Sequence, residues 1–414
     1  MRIGIIGAGA SGMMAAARLL KTEKDLDIFL IERNEVIGKK VSMTGGGRCN
    51  VTTGLEDIRI ILTKYPRGGK FLTHAMYQFS PVMVRDWFES HGVPLKKEKD
   101  NRIFPESNKS KDIIDVFEEV FKDPRIHIFL NTRVIRIEKQ DGYFCLFFQG
   151  SNKCIQVEKL ILATGGQAYR KAGSTGDGYT FATSLGHSLT PLAPSLTAFL
   201  THEHWPTSIS GLSFPNTLLK AGKNKHFLTQ GPFLFTHKGI SGPAVFALSS
   251  LTAFEIFDTK HPMEISIDLF PDFSIETLHY QLQEHIMINA KRSFANVLSI
   301  LIPKALVEVC LCEINISFEK QAAQINKKEI KQVITWLKNI PLGVIGRCAG
   351  EEFVTAGGVE LSEINPQTME SKICPGLYLT GEILNIDGFT GGFNLQAAWC
   401  TGYLAAEHII KENK

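Results

Sequence analysis

The residue pattern predicts a doubly wound α/β fold whose sheet domain is split by a β-rich insert. Three stretches carry that prediction: the apolar run Ile3 to Ile6 leading straight into GAGASG, the buried-strand pattern KLILATGG, and a late return through GLYLTGE to a second glycine cluster. A strand that ends in glycines and opens a helix is the start of a βαβ unit, and open sheets of this kind present ligands at the carboxyl ends of their strands.

In chain order, Arg2 to Ile6 reads as a strand, about Ala10 to Lys21 as a helix, and Asp27 to Glu32 as the next strand. Helical spacing follows at Lys70 to Phe79, Pro81 to His91 and Lys111 to Phe121, with a short strand or hairpin tip at Ile103-Phe104-Pro105. Ile126 to Leu130, Val134 to Lys139, Tyr143 to Phe148 and Ile155 to Val157 alternate like antiparallel strands before KLILATGG. After Leu189, segments rich in proline and glycine separate short β-like runs, and from Ser274 to about Asn339 the spacing becomes helical. The expected division is residues 1–190 for the first part of the sheet domain, 191–345 for the insert, with its helical portion at about 274–340, and 346–414 for the closing part. A terminal helix is expected from about Asn394 to Lys411.

With 414 residues and 44% apolar content, the chain has enough material for a sizeable core. Its net charge of +3 is interleaved with acids, a distribution that does not call for a nucleic-acid partner. No apolar run reaches the length of a membrane span, and the first strand begins at Arg2, so a cytoplasmic protein is expected. The eight cysteines are scattered, which suggests reduced thiols; the close pair Cys310 and Cys312 lies in an apolar run and reads as buried structure, and no metal pattern appears.

GAGASG supplies Gly7 for a tight turn, Gly9 for close approach to a pyrophosphate and Gly12 for helix packing, with Ala8, Ala10 and Ser11 between them. Glu32 stands twenty residues after Gly12 at the end of the next strand, the place for a carboxylate that accepts bonds from ribose hydroxyls; Arg33 follows it. A second loop, GKKVSMTGGGRCN, is expected to be too irregular for helix or strand, with Lys40, Thr44, Gly45, Gly46, Gly47, Arg48, Cys49 and Asn50 against a flat ring system. Ala163, Thr164, Gly165 and Gly166 close the buried strand, and Asp177 follows in GSTGDGY. Near the end come Gly381, Glu382, Asp387, Gly388, Gly391 and Gly392, and a helix N-terminus at Phe393 and Asn394 that can stabilise developing negative charge. One cofactor long enough to need both ends is the economical reading, and FAD is that cofactor.

GAGASG with Glu32, TGGGRCN, NRIFP, ATGG with GSTGDG, FLFTHKGISGP and PGLYLTGEILNIDGFTGGFNLQAAW together resemble the YhiN/BaiN-like flavoproteins over nearly the whole chain. Asn101 departs from the glycine often found there. The resemblance implies a Rossmann-like FAD domain of the glutathione-reductase type, split by a β-rich and helical insert. It also implies that Val134 meets the adenine through backbone atoms, and that Gly381, Glu382, Gly388, Gly391, Gly392, Phe393 and Asn394 line the ribityl and isoalloxazine. A noncovalent flavin is expected.

The implied activity is hydride exchange between flavin N5 and a small organic substrate, with NAD(P)H as a candidate transient reductant. The alternatives are an amine oxidase using oxygen, a flavin-dependent RNA-modifying enzyme, or a flavoprotein without turnover. His237, Arg48 and Arg170 are the candidate catalytic residues, with Arg102 and Tyr169 in neighbouring loops. Neither a second G-x-G-x-x-G nor a C-x₄-C pair is present, so a resident nicotinamide domain and a disulfide relay are not expected. The oligomeric state is open.

Overall fold

A computed structural model describes all residues except 24, 152, 223–225, 349, 413 and 414. It divides into two compact units, Met1–Ser195 with Gly350–Lys414, and Leu196–Ala349.

The first unit is built on a five-stranded parallel sheet. Its strands are β1 (Arg2–Ile6), β2 (Asp27–Ile31), β3 (Ile126–Phe129), β4 (Lys159–Leu162) and β5 (Leu377–Leu379), in the order β5-β4-β1-β2-β3. The register sets Ile3 opposite Ile28 and Lys159, and Leu160 opposite Leu377, so residues more than 370 positions apart share one ladder. Ile3, Ile5, Leu30, Leu160, Ile161, Leu377 and Leu379 are fully buried, as expected of parallel strands covered on both faces.

Two helices close over this sheet, α1 (Ala10–Leu19) and the long terminal helix that runs from Phe393 to Glu412. They pack at backbone distance: a Cβ on Gly402 would stand 2.2 Å from the carbonyl oxygen of Ser11. That glycine has a packing reason which its helical position alone does not reveal.

Two expectations need correction. Ile126–Phe129 was expected among antiparallel strands, but it lies parallel to β2, with Ile28 opposite Ile126. The preceding helix Ser110–Val120 supplies the crossover that a parallel neighbour requires, and alternation in a short edge strand reads alike in either direction. The loop at 38–50 was expected to be irregular throughout, yet Lys39–Gly47 forms a helix, α2, broken internally where Thr44 is extended and Gly45 and Gly46 turn left-handed. The strands Val134–Gln140, Tyr143–Phe148 and Cys154–Val157 do form an antiparallel sheet.

The second unit is a closed six-stranded barrel, antiparallel throughout. Phe199–Thr201 pairs with Gly239–Ser241, then come Phe227–Thr236, Ser213–Ala221, Met263–Asp268 and Ile340–Arg347, which returns to Phe199–Thr201. Closure leaves no strand edge unpaired. Phe199, Phe233, Phe235, Ile240 and Ile267 fill its core. Four helices, Ile275–Ile288, Phe294–Leu298, Lys304–Glu313 and Lys327–Lys338, add their apolar faces, the last opened by a reciprocal cap between Asn326 and Glu329. The Cys310/Cys312 pair is only half buried: Cys310 is inside, its thiol pushed up to about 12 by burial, whereas Cys312 is exposed. On a helix, residues two apart face different ways.

Gly402→Val tests the close helix pair. The added side chain drives the terminal helix away from Ser11, and the expected loss is about 1–3 kcal/mol or more, read as a fall in urea midpoint. A midpoint equal to wild type would show that the two helices are not in backbone contact.

Candidate functional site

All the glycine-rich motifs of the first unit converge at the carboxyl ends of the parallel strands. Gly7 takes φ 104° between β1 and α1, and a Cβ there would be 2.4 Å from the carbonyl oxygen of Ala163, the residue after β4. A Cβ on Gly12 would be 1.9 Å from the Gly7 oxygen. Gly9 differs, because among the described residues nothing beyond its chain neighbours and its own helix lies within 4 Å of its would-be Cβ. The first and third glycines are therefore required by the fold, and the second opens onto space.

Gly9 is also the N-cap of α1 and offers no side-chain cap to its first N–H groups. Those donors and the positive end of the helix dipole are suited to a phosphate. Glu32 lies beneath them, 8% exposed: one carboxylate oxygen accepts the Ala8 N–H at 2.8 Å, and the other accepts the Asn34 backbone and side-chain amides at 2.9 and 2.7 Å. These bonds fix the carboxylate beside the turn.

Next to it, Arg33 donates to Thr175 at 2.7 Å and contacts Asp177 at 3.4 Å, while Arg133 donates to Asp177 at 3.0 Å. Burial raises the Asp177 carboxyl, but the bonds from Arg133 and Thr175 and the charges of Arg133 and Arg33 outweigh it and hold the group below its ordinary value. Asp177 begins the helix Asp177–Ser184, where a negative charge is favoured. Val134, at the start of the neighbouring strand, is 4% exposed.

The other end of the cluster centres on an ion pair. Lys40, on α2, donates to Glu382 at 2.6 Å, and the second Glu382 oxygen accepts the Thr355 N–H at 2.9 Å. Gly381 packs on Ser11, where a Cβ would be 2.8 Å from Oγ, and a Cβ on Gly166 would be 2.8 Å from the Glu382 carboxylate. Lys40–Glu382 thus joins α2, the loop after β4 and the turn after β5. Gly46 and Gly47, like Gly9, have nothing among the described residues, beyond their own chain neighbours and helix, near the place a Cβ would take.

The loop 387–394 is braced by its own Asn394 and by residues distant in sequence. Asp387 is fully buried; Arg67 pairs with both of its oxygens, and Ser195 donates to one at 2.9 Å. The Asn394 side chain accepts from the Gly388 N–H at 2.8 Å and donates to the Gly388 oxygen at 2.7 Å. Tyr65 donates to the Phe393 carbonyl at 2.7 Å, and Gly392 would place a Cβ 2.3 Å from the Thr52 oxygen. Of the two residues expected to face the cofactor, Asn394 uses these side-chain atoms within the loop, and Asp387 uses its carboxylate on Arg67 and Ser195. Nothing local to YPRGG or NVTTG marks Arg67, Tyr65 or Thr52 as having a partner some 320 to 345 residues away.

Within the first unit, the candidate catalytic arginines have partners of their own. Arg48 is bound to Glu98 at 2.7 Å and lies over the Phe104 ring at 3.9 Å, where Arg102 also sits. Arg170 is exposed and donates to Gln167 at 3.2 Å. His237 is on the exposed turn after Phe227–Thr236 in the second unit. Cys49, expected in the cofactor loop, is fully buried, and that burial pushes its thiol up to about 12. Asn50 accepts the Ile103 N–H at 3.3 Å.

An uncapped helix start behind an open glycine, a tethered acid at the second strand and a second glycine-rich end on the same sheet form a two-ended cradle. The chain matches the HI0933-like protein Rossmann domain over residues 1–408. It belongs to the HI0933-like family. Members of this family are FAD-dependent oxidoreductases, and so is this protein. It is 30% identical to the 3-dehydro-bile acid delta(4,6)-reductase of Clostridium scindens over 407 residues, 98% of each chain. It is equally 30% identical to the ribosomal RNA dihydrouridine synthase of Escherichia coli K12 over 413 residues, 98% of this chain and 97% of that one. Among solved structures, E. coli quinol fumarate reductase FrdA gives a TM-score of 0.52 at 15% identity, covering 99% of this chain and 70% of that one. That likeness concerns the fold alone. No helix among the described residues is long and apolar enough to cross a membrane.

The residues fit FAD. Gly9 and the N–H groups that open α1 could take the pyrophosphate and Glu32 a ribose, while Lys40, Gly46, Gly47, Glu382 and the start of the terminal helix could meet the other end.

Two outcomes follow. Arg67→Met leaves Asp387 buried without its cation and is expected to cost about 3–5 kcal/mol in urea denaturation; a loss below 1 kcal/mol would contradict the bracing role. Asp177→Asn should be less stable than wild type at neutral pH. Because the folded-state value of Asp177 is depressed, its contribution exists above the unfolded carboxyl value and disappears as pH falls through the folded one. The gap between the two proteins should therefore close on acidification below about pH 4, and a gap independent of pH would refute that linkage.

Proposed function

We propose that the protein reduces a carbon–carbon double bond conjugated to a carbonyl in a small organic ring, with NAD(P)H as the electron donor. The observation that carries this is the pair of full-length relatives at equal identity. Their names concern different substrates, yet one removes ring double bonds and the other makes the form of uridine whose ring double bond is saturated. The shared element is the bond that is reduced.

FAD, when bound, supplies two-electron hydride chemistry. The residues of this chain hold it at both ends, orient it through the braced loop 387–394, and place a positive helix start and Lys40 where negative charge can be met. Since no nicotinamide-binding motif accompanies the first, the reductant docks transiently. A cytoplasmic setting, where NAD(P)H is available, suits this reading.

A second reading takes uracil in ribosomal RNA as the substrate. It is favoured by the dihydrouridine synthase of Haemophilus influenzae as well as that of E. coli, each 30% identical over nearly the whole chain. The interleaved charges speak for the small molecule.

Anaerobic stopped-flow mixing tests the proposal. Flavin absorbance should bleach rapidly with NADPH or NADH and recover on addition of a conjugated cyclic enone. Recovery only with an unmodified ribosomal RNA transcript moves the substrate to RNA. Bleaching by an amine and not by a nicotinamide would overturn both.

A further inference from the structure

Beside the Lys40–Glu382 pair lies a feature that cofactor holding does not require. Tyr169 adopts the left-handed backbone region, φ 57°, although it is not a glycine. Non-glycine residues persist there where the surroundings enforce them, frequently at functional sites. The conformation stacks the Tyr169 ring on Phe353, with centroids 5.9 Å apart and planes 20° from parallel. Lys40 Nζ is 6.0 Å from the Tyr169 centroid, and Phe353 is 36% exposed.

One acceptor oxygen in the same neighbourhood, Oε2 of Glu352 near Tyr169, lacks a hydrogen-bond partner among the described residues, and the hydroxyl of Tyr179, a residue 5% exposed, lies beside Glu382 and Thr355. Buried polar atoms are nearly always paired, so an unpaired one calls for a partner that the protein itself does not supply. An ammonium has three donors, and Glu382 takes one, so Lys40 keeps two for a ligand.

We propose that Lys40, Tyr169 and Phe353 form the subsite for the ring to be reduced: the aromatic pair takes its flat face, and Lys40 donates a hydrogen bond to the conjugated carbonyl oxygen. This inference rests on the proposed reduction of a conjugated carbonyl ring. It adds the residues that select such a ring and polarise it, since a hydrogen bond from a cation draws electrons from the double bond toward oxygen. Two sources share that chemistry, a uracil and a cyclic enone.

Isothermal titration of the FAD-loaded protein with uridine 5′-monophosphate and with androst-4-ene-3,17-dione tests it without turnover, so its outcome is independent of whether NAD(P)H reduces the flavin. At least one probe should bind wild type, and Lys40→Met and Tyr169→Ala should each bind that probe about tenfold or more weakly. Lys40→Arg and Tyr169→Phe should restore most of the affinity. The probe that binds identifies the source. An unchanged melting temperature shows that a variant is folded; if Lys40→Met is not, Tyr169→Ala and Phe353→Ala decide. The proposal is overturned if neither probe binds wild type, if the variants bind as tightly as wild type, or if the variants lose FAD affinity while probe affinity is unchanged.

Discussion

The parallel hydrogen-bond ladder β5-β4-β1 is the constraint on which everything else depends. It places Leu377 beside Leu160 and Leu160 beside Gly4, which brings the last glycine cluster to the same sheet end as the first. Gly402 then lets the terminal helix lie on α1 at backbone distance. Without those two contacts the chain would hold two unrelated glycine loops. With them it holds one long cradle.

Within the cradle, polar residues divide into those that make the shape and those that remain at its surface. Asp387, Asn394, Arg67 and Tyr65 spend hydrogen bonds on the loop 387–394. Lys40 and Glu382 are only partly buried and bridge three segments. The division follows from desolvation: a fully buried carboxylate such as Asp387 requires a buried cation, whereas the partly exposed Lys40–Glu382 pair keeps hydrogen-bonding capacity for a ligand.

Local patterns made much of this legible. The βαβ start, the buried strand at 159–162, the antiparallel strands at 134–157 and the helices after Ser274 all follow from periodicity and turn residues that act over a few positions. The glycine fingerprint was readable because it stands between a strand and a helix, although only Gly7 and Gly12 answer a steric demand of the fold. What the residues hid were pairings across hundreds of positions: Arg67 with Asp387, Gly402 with Ser11, Tyr169 with Phe353. The direction of Ile126–Phe129 was hidden for the same reason, because a strand's sense is set by its neighbour and not by its own side chains. Arg48 looked like a free donor in a glycine loop, yet Glu98 and Phe104 occupy it.

The claim that one cofactor spans both ends of the chain is tested most directly by comparing FAD, FMN and ADP binding to apoprotein by calorimetry. FAD should bind at least about a hundredfold more tightly than either fragment, since each fragment engages only one end. FMN binding as tightly as FAD, with ADP failing to compete, would contradict the account.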